Sequence, residues 1–271
     1  MTKRKLKITL LGTGSSGGVP RVGGDWGACD PSEAKNRRRR CSALVETWDA
    51  QAPDEKTIVL IDTSPDLREQ LLDADVKRLD AILFTHDHAD QTHGIDDVRA
   101  LAIRNRTQVK AYMDAPTRAT LYPKFRYVFE GFGGYPSIID VQAQISAYEP
   151  LTINGRGGAL SCLPLEQEHG RIKSLGFRFG DIAYCNDLND FPERTLDQLA
   201  GLDLLIIDAL RYTPHPSHAH LEQTLKWISE LKPKHAVLTN LHVDFDYQTL
   251  KAELPEGVEP AFDGWSYIAT S

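Results

Sequence analysis

The sequence predicts an α/β fold in which two packed sheets carry helices on their outer faces. Three observations lead there. Short apolar or β-branched runs recur along the chain, each bounded by Gly, Asp, Asn or Pro, which is the signature of strands. Between them lie stretches with apolar residues three and four apart, the signature of helices. A strand-rich first half ends in a helix and the second half repeats that order, which suits two sheets better than one doubly wound parallel sheet.

In chain order, the strands are expected at Lys7–Leu11, Cys41–Thr47, Thr57–Asp62, Ala81–Thr85, Val109–Met113, Ala159–Leu163, Ile182–Cys185, Leu204–Asp208 and Ala236–Thr239. The first helix is expected over Pro65–Leu72, with Ser64 as its N-cap and Pro65 in its first turn. Further helices are expected over Asp96–Ile103, Arg194–Leu199 and Leu221–Leu231. Gly12-Thr13-Gly14-Ser15-Ser16-Gly17-Gly18 follows the first strand, but it lacks GxGxxG spacing, and Pro20, Gly23 and Gly24 prolong a loop where a dinucleotide site needs a helix. Phe129 to Tyr135, with three glycines among aromatics, reads as a mobile loop able to cover a pocket. Arg37 to Arg40 form a solvated loop or a patch that faces phosphate.

Composition narrows the class. The 271 residues, 41% hydrophobic and 25% charged, fit one globular domain over 1–271. A net charge of −7 argues against a nucleic-acid partner, which calls for a basic face. No apolar run approaches the roughly 18 residues of a membrane span. The basic start Met1 to Lys7 leads into only about five apolar residues, too few for a signal peptide, so it reads as the first strand. Four scattered cysteines without a CxxC pair point to a reduced, cytoplasmic setting.

The chemistry concentrates in Thr85-His86-Asp87-His88-Ala89-Asp90-Gln91-Thr92-His93-Gly94, directly after a strand. A strand that ends in HxHxD brings two imidazoles and a carboxylate to one rim, a donor set that suits Zn²⁺ or Mn²⁺. This segment resembles the HxHxDH signature of metallo-β-lactamase-fold hydrolases. Gly12 to Pro20, Ile61 to Asp66, Gly94 to Arg99 and Phe262-Asp263-Gly264 resemble the cyclic-phosphodiesterase branch. That branch includes the phosphonate-pathway enzyme that opens a ribosyl 1,2-cyclic phosphate. The resemblance runs from about residue 7 to the C-terminus and implies an αββα sandwich of two mixed sheets.

It also implies a ligand set: His86, His88, Asp90, His169 and Asp187, with Asp187 as the bridge between two divalent ions, Mn²⁺ or Zn²⁺. The chain departs from the pattern at the second ion. Gln91 stands where the family has a histidine, and Asn240 stands at the late histidine. His242 is a replacement for the latter and His93 for the former. Three readings stay open: a pair of ions using His242, a pair with Gln91 and Asn240 as weak amide ligands, or a single ion. Two ions with a weaker, harder second site are expected. No structural zinc is expected, because only Cys29 lies where some relatives have a cysteine cluster.

By the same resemblance, His218 falls at a catalytic position outside the metal shell, and an imidazole suits proton transfer to a leaving oxygen. Asp90 is expected to share in catalysis, and Asp62 to orient a ligand from behind. The implied reaction is hydrolysis, by a metal-bound hydroxide, of a small phosphodiester of nucleotide or ribose type, cyclic ones included. Arg99 or Arg37 to Arg40 would hold a distal phosphate, and Tyr135, with the aromatics from Tyr127 onward, would stack on a base. A homodimer is compatible with this reading. The rivals are an RNA-processing nuclease of the tRNA 3′-end type, a thioester or lactone hydrolase, and a nucleotide-binding protein without turnover.

Overall fold

The computed structural model describes residues 4–270, so the first three residues of the basic start lie outside it. Strands β1 (Arg4–Gly12), β2 (Ser42–Asp49), β3 (Lys56–Ile61), β4 (Ala81–Leu83), β5 (Val109–Tyr112) and β6 (Ile139–Val141) form one sheet with β14 (Ser266–Thr270), in the order β14-β1-β2-β3-β4-β5-β6. The second sheet holds β7 (Leu151–Gly155), β8 (Gly158–His169), β9 (Ile172–Phe179), β10 (Ile182–Cys185), β11 (Leu204–Asp208), β12 (His235–Thr239) and β13 (Val258–Pro260), in the order β13-β12-β11-β10-β9-β8-β7. Each sheet is antiparallel on one side and parallel on the other: β3 to β6 run parallel, as do β10 to β13.

Period-two alternation explains the layers. Val59 and Ile61 of β3 point into the core between the sheets, while Leu60 points to the outer layer. Leu204 and Ile206 of β11 do the same, with Leu205 and Ile207 outside. The outer face of the first sheet is covered by α1 (Leu67–Asp73), α3 (Arg99–Asn105), α4 (Ala115–Lys124) and α5 (Arg126–Glu130), and the short α2 (Ala89–Thr92) starts directly after His88. The second is covered by α6 (Glu193–Leu199), α7 (Leu221–Leu231) and α8 (Tyr247–Glu253). Helix α7 buries Leu221, Thr224, Trp227, Ile228 and Leu231, the single stripe its spacing predicts. Truncating Trp227 to Ala would cost about 3–5 kcal/mol.

Several expectations need correction. Asp66, not Ser64, caps α1; Ser64 starts the preceding turn, with its Oγ accepting from Asp66 N at 3.2 Å. Residues 95–98 form a 3₁₀ turn before α3 in place of one continuous helix. Phe129 is buried at the end of α5, so the exposed loop is confined to a turn at Phe132–Tyr135. Strands β7 and β9 escaped the apolar-run criterion because polar residues interrupt them, the exposed Thr152 and Asn154 in β7 and Lys173, Ser174 and Arg178 in β9. Among the described residues no helix is long and apolar enough to cross a membrane.

Candidate metal centre

Both sheets end their parallel strands at one rim, and the chemistry sits there. His86 and His88 follow β4, His169 closes β8, Asp187 follows β10, Asp208 closes β11 and Asn240 follows β12. Three of the residues that leave strands at this rim have left-handed backbones: Asp62 (φ 61°), Asp187 (φ 53°) and Asn240 (φ 63°). Asn and Asp tolerate that region best among residues with a side chain, and each turn redirects a strand end into the rim. Gly94 closes the histidine segment because a Cβ there would collide with the Ser64 carbonyl oxygen.

Ligand atoms of His86, His88 and His169 lie within 4.8 Å of one another, and so do those of His169, Asp187 and His218. The rings of His86 and His88 sit 4.5 Å apart, and those of His88 and His169 5.1 Å apart. His86 Nε2 is buried without a hydrogen-bond partner and lies 3.9 Å from Asp187 Oδ2. A buried nitrogen lone pair facing two further imidazoles and a carboxylate is costly unless a cation meets it. The donor set therefore fits a divalent transition metal at His86, His88, His169 and Asp187.

Behind these ligands the hydrogen bonds fix each ring. Asp62 accepts from Thr85 N and Thr85 Oγ1, both at 2.8 Å, and Thr85 Oγ1 stands 2.9 Å from His86 Nδ1. Thus Asp62 orients His86 through Thr85. His169 Nδ1 donates to the Ser217 carbonyl at 2.7 Å, which leaves Nε2 facing the cluster. Burial lowers the His86 imidazole well below its usual range and lowers His169 to about 4, so both rings are neutral and available near pH 7. Burial also raises Asp62 to about 8 despite the Thr85 bonds, and raises Asp187 well above the carboxylate range.

His218 Nδ1 lies 3.0 Å from Asp208 Oδ2 and 3.1 Å from Asn240 Nδ2. Burial would lower its pKa, but the Asp208 carboxylate outweighs burial and lifts it to about 9. Asp208 is a site residue the sequence reading missed. Its signal was a carboxylate closing an apolar strand at the same rim, ten residues before His218.

The other expected residues are more scattered. Asp90 lies outside both ligand clusters, its Oδ2 accepting from Gln91 Nε2 at 3.3 Å. His242, expected as a ligand, is absent from the clusters. Asn240 turns the chain and Leu241 returns to the core, so the His242 ring meets Arg21 and lies 3.1 Å from Asp244 Oδ2. His93, the other substitute, packs edge-on against Phe125 at 5.4 Å. Arg99 pairs with Asp96 and stacks over Tyr127 at 5.7 Å, while Tyr135 is 69% exposed at the tip of its turn.

A two-sheet sandwich with imidazoles and a carboxylate at its rim defines the class of metal-dependent hydrolases. Residues 57–240 match the β-lactamase superfamily domain. A diphosphatase of the PhnP family, solved as a crystal structure, is 34% identical, with a TM-score of 0.88 and coverage of 99% of this chain and 98% of that one. The chain belongs to the β-lactamase superfamily and, within it, to the PhnP family. A protein called octanoyltransferase from Porphyromonas gingivalis (strain ATCC BAA-308 / W83) is 31% identical over 97% of this chain. The chain spans about half the length of that relative, 51%. Zn²⁺-bound PqqB from Methylobacterium extorquens shares the fold, with a TM-score of 0.70 at 17% identity and coverage of 96% of this chain and 99% of that one.

Proposed function

We propose that the protein is a metal-dependent phosphodiesterase acting on a small phosphodiester or diphosphate of nucleotide or ribose type. The single observation that carries this reading is the His86–His88–His169–Asp187 set on a chain 34% identical, end to end, to a PhnP-family diphosphatase. Manganese or zinc fits the donor set, and such an ion supplies Lewis-acid chemistry, offsetting phosphoryl charge and acidifying water.

The chain's own residues do the rest. His218 is held at Nδ1 by Asp208, and its Nε2 has no partner among the described residues. Protonated near neutral pH, it can give a proton from Nε2 to a leaving oxygen. Asp62 and Thr85 keep His86 in the tautomer that presents Nε2. A cleft of about 200 Å³ lined by Gly17, Gly18, Arg21, Arg37 and Arg40 offers positive charge to a second anionic group. Arg40 is paired with Asp66 and Arg21 with Asp25, while Arg37 has no acidic partner among the described residues. Arg99 and Tyr135 remain candidates for the distal part of the substrate.

The test is hydrolysis of bis(p-nitrophenyl) phosphate by metal-stripped protein, with Mn²⁺, Zn²⁺ or Mg²⁺ returned singly and p-nitrophenyl octanoate as the acyl control. Phosphodiester turnover that follows one metal supports the proposal. Turnover of the octanoyl ester alone, or none with any ion, overturns it.

A further inference from the structure

We infer that this centre holds one divalent ion, at His86, His88, His169 and Asp187, and that Gln91, Asn240 and His218 fill the space in which a second ion would need ligands. The inference rests on the metal reading of the site but not on the identity of the substrate.

The carboxylate that a second ion would have to share is already engaged on both oxygens. Asp187 Oδ2 accepts from Gln91 Nε2 at 2.7 Å, and Oδ1 accepts from Asn240 Nδ2 at 2.9 Å. The next carboxylate is engaged as well. Asp208 Oδ1 lies 3.1 Å from Asn240 Nδ2, and Oδ2 faces His218 Nδ1 at 3.0 Å and accepts from Leu188 N at 3.2 Å. Gln91, Asn240, Asp187 and Asp208 are all at most 2% exposed, so water cannot take over any bond that is broken.

Amides can ligate hard cations only through oxygen. Turning the Asn240 amide would take Nδ2 from Asp187 and Asp208 together and set Oδ1 against two carboxylates. Turning Gln91 would bring Oε1 against the oxygens of Asp187 and Asp90. A second ion would therefore have to break into the buried bonds that Asp187 and Asp208 accept, and although Gln91 Oε1 has no partner to lose, neutral amides would bring it no charge. The first position differs: His86 Nε2 has no partner to lose, and the facing Asp187 Oδ2 has a second lone pair beside its Gln91 bond. Among the imidazoles, only the 3.3 Å contact between His169 Nε2 and His88 Nδ1 has to open.

Metal-stripped wild-type protein is dialysed to equilibrium against excess Mn²⁺, the bound metal is counted by elemental analysis, and the electron paramagnetic resonance spectrum is recorded. The expected result is saturation at one ion per chain with the signal of isolated Mn²⁺. The Gln91→His/Asn240→His double variant, verified as folded by circular dichroism, is expected to saturate at two with an exchange-coupled signal. A wild type that takes two coupled ions overturns the inference while leaving the proposed activity intact. A folded double variant that stays at one overturns the role given to the amides. Wild-type protein that binds no ion overturns this inference and the metal-dependent reading together.

Discussion

At the His86–His88–His169 corner of the rim, imidazoles from both sheets converge and a buried nitrogen is left without a partner. At the Gln91–Asn240–His218 corner, a few ångströms away and anchored on the same Asp187, every carboxylate oxygen meets an N–H. Both corners are built from residues that leave the ends of parallel strands. The difference lies in donor balance. A corner where buried imidazole lone pairs face one another calls for a cation, whereas a corner whose carboxylates already accept from N–H groups is held as a hydrogen-bond network, even with Gln91 Oε1 left unpaired. The same backbone geometry can thus serve as a metal site or as a rigid, polar wall, and two or three side chains decide which.

The sharpest way to break the comparison is to empty the first corner. His88→Ala should abolish metal-dependent turnover and weaken Mn²⁺ binding by more than ~100-fold, since partners one shell further out are already worth about 10–100-fold. Metal content after dialysis, measured beside bis(p-nitrophenyl) phosphate hydrolysis, checks this. In the second corner, His218→Ala should lower kcat by ~10²–10⁴-fold, the usual contribution of a positioned acid. With a pKa of about 9, His218 is the protonated donor at neutral pH, so wild-type activity should decline above about pH 9. A pH–rate profile that keeps this limb in the His218→Ala variant would rule out the assignment.

Thr85→Val probes the connection behind the first corner. It removes the hydroxyl that joins Asp62 to His86, and Mn²⁺ affinity should fall by ~10–100-fold with the fold retained. A smaller effect concerns stability of the metal-free protein. His218 is raised from 6.5 to about 9 on folding, so its stabilising share is complete below 6.5 and disappears as pH rises through 9. Denaturant titrations between these values should show a loss of roughly 1–3 kcal/mol, and His218→Gln should flatten that slope. The smallest effect is expected at the arginine cleft, where Arg37→Ala should raise KM a few-fold (~2–5-fold) for substrates with a second phosphate. It should leave kcat and the bis(p-nitrophenyl) phosphate rate alone.

Legibility in the sequence followed the physics of each element. Strands buried on both faces, such as Leu204–Asp208, are continuous apolar runs and could be read to the residue. Strands with one wet face, such as Ile172–Phe179, were missed because Lys173 and Arg178 interrupt them. Helix α4 was not among the expected elements; it carries two prolines, Pro116 in its first turn, where no N–H is needed, and Pro123 near its end.

At the site, spacing along the chain was enough for His86 and His88, and the family resemblance pointed to His169 and Asp187, which folding brings to the same rim, while Asp90 stays outside the clusters. Spacing could not separate Asn240 from His242. They lie two residues apart, and only the left-handed turn at Asn240 sends the His242 ring away to Arg21 and Asp244.

What the sequence alone determined was the sandwich and the histidine-rich rim, because alternation and short-range motifs are local properties of a chain. What only the tertiary structure decided was the state of Asp187. Its partners come from residues 91, 218 and 240, distant in sequence, and whether a buried carboxylate faces a cation or an amide depends on which side chains folding brings to it.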